Sequence, residues 1–333
     1  MYLAKFRGET VAVKQLIAEK IDQGSILRFK AEILLLTQLH HPNICQILAA
    51  AWQAPHLAIV LEFAHNGDLG QYLKKYKNEA SWRNSRLKFL NNIAHGMRYL
   101  HNRNPPVMHR DLKTENCLIT EFHVLKLSDF GESRTAVGEN DEEAGNLTLV
   151  GTSFFIAPEV LNGEFYTESC DVFSFAILVC CLGIESGDAR HIFSKEMREN
   201  MPLTIKQKQK VQGSYIAQRH VRGWRTDLDG LAWPHSMKQL VSACWKPDPQ
   251  KRPNFEEICA EIEKWSHTDF GEDENTSQLP PVVGGRRKEE EVKKAGSEAV
   301  GGRLLRGSAG GSGERRNRGS SLAEQRGGSV HLQ

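Results

Sequence analysis

Charged and amide side chains with complementary chemistry are concentrated in His109-Arg-Asp-Leu-Lys-Thr-Glu-Asn116 and in the nearby Asp129-Phe-Gly131. A carboxylate such as Asp111 can accept a proton, and the oxygens of Asn116 and Asp129 are ligands of the kind that Mg²⁺ prefers. Each residue alone also has a simpler interpretation, because aspartates are common in turns. The pattern therefore gains weight from the order and spacing of its members.

Two further motifs flank these segments, Val11-Ala-Val-Lys14 upstream and Ala157-Pro-Glu159 downstream. Together the motifs resemble the signature set of eukaryotic protein kinases, in the family's order and at its spacing. The resemblance covers about residues 1–265. It implies an α+β fold of two lobes, a small β-rich amino-terminal lobe and a larger helical carboxy-terminal lobe.

The boundaries that follow are a kinase domain over residues 1–267 and a tail over residues 268–333. Within the domain, the amino-terminal lobe is expected to end near residue 62 and the hinge to cover residues 62–69. The carboxy-terminal lobe is expected to cover residues 70–267.

The resemblance also implies the role of each polar residue in moving the γ-phosphoryl of ATP onto a protein. Asp111 would accept the proton of the substrate hydroxyl, while Asn116 and Asp129 would hold Mg²⁺. Lys14 would contact the α- and β-phosphates and would be held by an ion pair with Glu32. Taken singly, Lys14 and Glu32 could instead be solvated surface charges.

The class of kinase is indicated by Lys113, which resembles the lysine that serine/threonine kinases place near the γ-phosphate. The segments Cys244–Phe255 and Gly151–Glu159 are similar to those of the tyrosine-kinase-like group, the relatives of Raf and mixed-lineage kinases. Phe155 departs from that group, which usually has Trp or Tyr at this position. The resemblance thus predicts transfer to serine or threonine of protein substrates.

The segment Val60–Leu69 resembles the connector between the lobes of a kinase, although a plain buried strand and loop is the alternative. The implied nucleotide contacts are the gatekeeper Leu61, the adenine partners Glu62 and Ala64, the ribose contact Asp68, and Ala12 and Leu118 on the two faces of the base.

The chain departs from the family at its start, because the Gly-rich loop that covers the phosphates should precede Tyr2. Met1 begins at the strand that should follow this loop, so the family's first strand is expected to be missing. Either the sequence is truncated or the protein lacks the roof of its nucleotide site. The second alternative would favour a pseudokinase-like scaffold or an inactive fragment.

Hydrophobic periodicity predicts the elements that position these residues. Glu9–Gln15 alternates apolar and polar residues, which indicates a half-buried strand that carries Lys14. A helix is predicted from Ser25, as its cap, to Leu39, and it would carry Glu32. Its apolar stripe comprises Ile26, Phe29, Ile33 and Leu36. Another strand is predicted at Leu57–Leu61.

The rest of the domain has the pattern of helices. Two stripes recur at helical spacing, and they consist of Leu87, Leu90, Ala94, Met97 and His101 and of Phe255, Ile258, Ile262 and Trp265. A strand pair is predicted near Cys117–Thr120 and Val124–Leu127. The polar stretch Glu185–Leu231 has weak periodicity and carries little functional signal.

The end of the chain has the composition of a disordered segment. Residues 284–333 contain 12 glycines and 11 Lys plus Arg against 6 Glu, with few large apolar side chains. The arginines leave a nucleic-acid binder as an alternative, but residues 284–333 have no Phe, Tyr or Trp to stack on bases. Arg316 and Arg318 before Ser321 are similar to the target pattern of basophilic kinases, with a solvating tail as the alternative.

Regulation and location are also predicted. Thr148 is the expected site for an upstream activating kinase, with Arg110 as the cation that would grip its phosphate. The seven cysteines form no C-x-x-C pair and are odd in number, which indicates reduced thiols. The longest apolar run, Val172–Ile184, is too short to span a bilayer. The cytoplasm is the expected location, with the nucleus as the alternative.

Overall fold

A computed structural model describes residues 1–16, 23–53, 56–77, 79–135, 154–206 and 209–271. The described residues of both predicted lobes belong to one compact unit. The predictions for Thr148, for Ser321 and for the tail beyond Gly271 lie outside the described residues.

The amino-terminal lobe is built on a four-stranded antiparallel sheet in the order β1-β2-β4-β3. Its strands are β1 (Tyr2–Phe6), β2 (Glu9–Gln15), β3 (Ile47–Gln53) and β4 (His56–Glu62). Alternation in β2 buries Val11 on one face. The two central strands of this sheet thus match the two strands predicted from the sequence.

One helix, α1 (Gln23–Gln38), belongs to this lobe and buries Phe29, Ile33 and Leu36. These residues are three and four apart, so they form the stripe that the sequence indicates. The predicted cap is wrong, because the helix already begins at Gln23 and Ser25 lies inside its first turn.

The carboxy-terminal lobe is mainly helical. Its helices are α2 (Leu69–Lys75), α3 (Leu87–His101), α4 (Pro158–Leu161), α5 (Ser169–Gly183), α6 (Ser194–Glu199), α7 (Leu203–Lys206), α8 (Gln209–Val221), α9 (His235–Cys244) and α10 (Phe255–Ile262). A π-helical turn (Trp82–Arg86) precedes α3, and short 3₁₀ turns cover Thr114–Asn116, Ala189–His191, Pro249–Lys251 and His267–Phe270.

The apolar run near the middle of the chain forms the central helix of this lobe. In α5, all thirteen residues from Cys170 to Leu182 are buried. A helix that is apolar on every side needs packing partners all around, and α5 finds them inside the lobe. Among the described residues, no helix is both long enough and apolar enough to cross a membrane.

Two short strand pairs frame the segments that carry the chemistry. The pair β6 (Cys117–Ile119) and β7 (Leu125–Leu127) confirms the prediction from the sequence. The pair β5 (Val107–Met108) and β8 (Arg134–Thr135) was not predicted, because two-residue strands leave no periodicity to detect. The catalytic segment runs from β5 to β6, and Asp129 follows β7.

These elements confirm the predicted α+β kinase fold with a small sheet lobe and a helical lobe. The domain boundary at residue 267 stays a prediction, although Phe270 still stacks on Trp82 with ring centroids 3.9 Å apart. The expectation of a missing Gly-rich loop also stays a prediction.

Candidate active site

Three charged residues from distant parts of the chain meet at the first part of the site. The Nζ of Lys14, on β2, lies 2.7 Å from Oε1 of Glu32, on α1, and 2.8 Å from Oδ1 of Asp129. The Glu32 side chain is only 6% exposed, whereas that of Asp129 is 50% exposed. The structure therefore forms the predicted Lys14–Glu32 pair and leaves the Asp129 carboxylate accessible.

Burial and charge act in opposite directions on the pKa values of this cluster. Burial lowers the pKa of Lys14, but the Glu32 and Asp129 carboxylates outweigh it, so the pKa is raised. Burial raises the pKa of Glu32, and Lys14 offsets only part of this effect. Burial also acts to raise the pKa of Asp129, but Lys14, His109 and Lys113 bring it below its usual value. Asp129 is therefore an anion that can bind a cation.

The catalytic segment forms a second cluster around Asp111. Lys113 donates from Nζ to Oδ1 and Oδ2 of Asp111 at 2.9 Å and 2.7 Å. Asn116 donates from Nδ2 to the carboxylate and to the backbone oxygen of Asp111, both at 2.8 Å. A 3₁₀ turn at Thr114–Asn116 brings the amide back to Asp111. These bonds fix the orientation of the carboxylate.

A buried carboxylate on α5 holds the beginning of this segment. Asp171 accepts hydrogen bonds from the backbone N–H groups of His109 and Arg110, each at 2.8 Å, and from Nε2 of His101 at 2.9 Å. Burial acts to raise the pKa of Asp171, but these partners lower it below its usual value. Asp171 thus anchors the catalytic segment.

Two residues of the site have left-handed backbone conformations, Arg110 with φ of 67° and Asp129 with φ of 61°. Such a φ is unfavourable for a residue with a side chain, and its cost must be offset by surrounding contacts. The backbone bond from Arg110 to Asp171 and the ion pair from Asp129 to Lys14 are such contacts.

A cavity of about 160 Å³ lies between the lobes. Eight of the residues predicted to bind the nucleotide or metal line it, namely Ala12, Lys14, Glu32, Leu61, Glu62, Asn116, Leu118 and Asp129. Pockets that enclose a whole small molecule usually measure roughly 300–1,000 Å³, so this cavity would hold only part of a nucleotide. Asp111 and Lys113 do not line this cavity, but Asn116, which donates a hydrogen bond to Asp111, does.

Two of the predicted hinge residues, Ala64 and Asp68, do not line this cavity. Ala64 follows β4, and its carbonyl accepts a bond from the Gly67 N–H at 3.2 Å. Asp68 caps α2 by accepting from the Gln71 N–H at 2.8 Å, and it lines a different cavity from the other predicted residues. A β-bridge between Asp68 and Leu118 nevertheless keeps the two cavities adjacent.

The side chain of Glu62 has a role that the sequence did not indicate. Its Oε1 accepts from Nζ of Lys126 on β7 at 2.8 Å and from the backbone N–H of Gln46 at 2.7 Å. The pair connects the end of β4 to the carboxy-terminal lobe. Only the backbone of Glu62 had been assigned a function, and sequence periodicity offers no signal for a pair 64 residues apart.

A larger cavity of about 820 Å³ borders the catalytic segment at Thr114 and Glu115. One of its walls is residues 184–191. All of these except Ile184 belong to the stretch Glu185–Leu231, whose sequence carries little functional signal. The weak periodicity of that stretch reflects short helices and loops, which sequence patterns describe poorly.

A family model for the protein kinase domain matches residues 2–263 of the chain. The chain belongs to the protein kinase family. Among its relatives is serine/threonine-protein kinase 12 of Arabidopsis thaliana, which is 35% identical over 269 residues, or 80% of this chain and 54% of that protein. Serine/threonine-protein kinase VIK of the same plant is 32% identical over 270 residues, or 80% of this chain and 57% of that protein.

A serine/threonine-protein kinase/receptor of Acanthamoeba polyphaga mimivirus is 34% identical over 258 residues. That match covers 77% of this chain but 14% of the viral protein. The chain thus spans between 14% and 57% of the length of these three relatives.

Protein kinases act with ATP and a divalent metal, generally Mg²⁺, and the residues of this site fit such an ion. Asp129 presents a half-exposed carboxylate, and its Oδ2 is not the atom that contacts Lys14. Asn116 uses Nδ2 for both bonds to Asp111, which leaves its amide oxygen for a metal. Two oxygen donors on one cavity are the ligands that Mg²⁺ prefers.

Proposed function

We propose that this kinase domain transfers the γ-phosphoryl of ATP to serine or threonine hydroxyls of proteins. The observation that carries the proposal is the network in which Lys113 and Asn116 both bond the Asp111 carboxylate. Asn116 also lines the cavity that contains Lys14 and Asp129. A proton acceptor, a phosphate-binding cation and metal ligands are thus contiguous.

Each residue has a defined task in this reaction. Asp111 accepts a hydrogen bond from the substrate hydroxyl and takes its proton as the oxygen bonds to the γ-phosphorus. The bond from that phosphorus to the β–γ bridging oxygen breaks, and ADP leaves. Lys14, held by Glu32, binds phosphate oxygens, and Lys113 neutralises charge beside the acceptor. Asn116 and Asp129 would hold Mg²⁺, which would supply positive charge against the phosphates. Asp171 keeps the segment in the orientation that these contacts require.

The preference for serine and threonine, and membership of the tyrosine-kinase-like group, belong to the proposal. Lys113 supports the preference, because a lysine beside the catalytic carboxylate is typical of serine/threonine kinases. The names of the two plant relatives agree with it. Phe155, which departs from the group's pattern, is buried, and its carbonyl accepts from Ser174 Oγ at 2.7 Å.

The proposal is tested with radiolabelled ATP, Mg²⁺ and three peptide pools that differ only in a serine, threonine or tyrosine acceptor. We expect transfer to the first two pools and its loss in Asp111→Asn, with retained far-UV circular dichroism. Asp229→Asn, an exposed aspartate elsewhere in the lobe, serves as the matched control. Transfer to the tyrosine pool alone would refute the preference, and undiminished transfer by Asp111→Asn would refute the assignment of the proton acceptor.

We also propose that an upstream kinase activates the protein at Thr148. The support is the position of Arg110 directly before Asp111 in the catalytic segment, where a phosphate gripped by the arginine would act on the site. Thr148→Ala should lower the transfer rate of protein isolated from cells. Equal rates for the two proteins would remove Thr148 from this role.

A further inference from the structure

The 820 Å³ cavity has three walls beside the catalytic segment. Thr114 and Glu115 border it on one side, and Phe154 and Phe155 on another. The third side joins α2 to residues 184–191. We call this cavity the acceptor groove, because its lining includes Thr114, which directly follows Lys113 of the Asp111–Lys113 cluster.

Helix periodicity explains which residues of α2 face the acceptor groove. Gln71 and Lys74 follow Gly70 by one and four residues, so the three residues lie on one side of the helix. Lys77, two residues after the end of α2, continues this side. Lys75 lies off this stripe, and its Nζ sits 4.7 Å from the centre of the Tyr76 ring.

Residues 184–191 are held against α2 by a close backbone contact between Gly187 and Gly70. A Cβ on Gly187 would lie 2.1 Å from Gly70 Cα, so only glycine fits there. The Gly187 carbonyl also accepts a bond from Thr114 Oγ1 at 3.0 Å. The stripe on α2 is therefore held in a constant position relative to the catalytic segment.

Most carboxylates of the groove already have partners. Glu185 pairs with Arg86 at 2.8 Å, and Asp188 accepts from Nε of Arg190 at 2.8 Å. Asp68 is engaged as the cap of α2. The two arginines offset the charges of Glu185 and Asp188, which weakens the attraction of these carboxylates for a basic peptide.

The two lysines of the stripe have no such compensation. Lys74 and Lys77 are exposed, and within the part of the chain that the structure describes neither has an acidic partner. Glu115, the fourth carboxylate of the groove, accepts a hydrogen bond from Thr114 Oγ1 at 3.0 Å. Lys74 and Lys77 thus place two positive charges on the α2 wall of the groove.

We propose that the acceptor groove binds a segment of the protein substrate that carries an acidic or phosphorylated residue, which pairs with Lys74 and Lys77. This inference rests on the proposed function, since it names the substrate class of the same site. A phosphate offers about two negative charges and three acceptor oxygens, which suit two neighbouring ammonium groups.

The geometry sets where the charged residue lies in the substrate. Lys74 follows Gly70 by four residues, or about 6 Å along the helix axis. An extended peptide covers this distance with about two residues. An acidic residue at Lys74 is therefore expected about two residues along the peptide from the residue that passes Gly70.

The test uses the whole chain and fluorescent peptides in which alanine replaces the acceptor. Phosphoserine, aspartate, alanine or arginine is placed at each flanking position in turn, and fluorescence anisotropy gives Kd. We expect phosphoserine at one position to lower Kd about tenfold relative to alanine. Lys74→Glu/Lys77→Glu should abolish this preference and favour arginine, whereas Lys75→Glu, a neighbouring exposed lysine off the stripe, should retain it.

A Kd that is the same for phosphoserine and alanine at every position would overturn the inference. So would a preference that survives in Lys74→Glu/Lys77→Glu. Phosphoryl transfer to the matching serine peptides is measured in parallel. Transfer without an acidic preference contradicts this inference alone, while an acidic preference without transfer contradicts the proposed function and supports the binding chemistry of the groove.

Discussion

Acid should destabilise the folded domain through His220, a residue of α8 that is completely buried. Its ring packs against Phe173 and Phe193 and stacks with Trp224 at an interplanar angle of 12°. Within the described residues, neither ring nitrogen has a hydrogen-bond partner. Burial, together with the nearby Arg225, lowers the pKa of His220 to about 3.

The sign and size of the effect follow from proton linkage. The unfolded chain binds a proton at this histidine below about pH 6.5, whereas the folded chain stays neutral until about pH 3. Stability is therefore complete above pH 6.5 and falls by about 1.4 kcal/mol per pH unit below it. At pH 5 the folded state should have lost about 2 kcal/mol through His220 alone.

The measurement is urea unfolding of the wild-type chain and of His220→Phe at pH 7 and pH 5, followed by circular dichroism. Phenylalanine keeps the ring contacts and removes the titration. The difference in unfolding free energy between the two pH values should be about 2 kcal/mol smaller in the variant. His40→Gln removes an exposed imidazole and should leave the difference unchanged. Equal differences in wild type and His220→Phe would refute the reasoning.

Three further predictions concern contacts within the carboxy-terminal lobe. Arg252 and Glu159 form a buried two-point ion pair at 2.6 Å and 2.8 Å, so Arg252→Met should cost about 3–5 kcal/mol in urea unfolding, and a loss below about 1 kcal/mol would contradict this. Gly187→Ala should push residues 184–191 away from Gly70 and raise KM for peptide at least about fivefold, while KM for ATP stays unchanged as a control. An unchanged KM for peptide would contradict this prediction. Asp171→Asn leaves backbone N–H groups facing an amide, which should cost about 1–3 kcal/mol and lower kcat, and full kcat would show that the anchor is dispensable.

The sequence by itself determined the chemistry and its local framework. Asp111, Asn116 and Asp129 were assigned from a family resemblance carried by short, ordered motifs, in which the spacing of neighbouring residues is visible directly. The strand that carries Lys14 and the helix that carries Glu32 were predicted because burial of one face imposes periods of 2 and 3.6 on the residue types. These elements are present in the structure.

Only the tertiary structure decided which distant side chains meet. Lys14 contacts Asp129 across 115 positions, and Glu62 pairs with Lys126 across 64. The acceptor groove likewise depends on Gly187 meeting Gly70, which no local pattern indicates. Periodicity reports whether a residue faces a core, but the identity of its partner depends on how the elements pack, and that arrangement is a property of the whole fold.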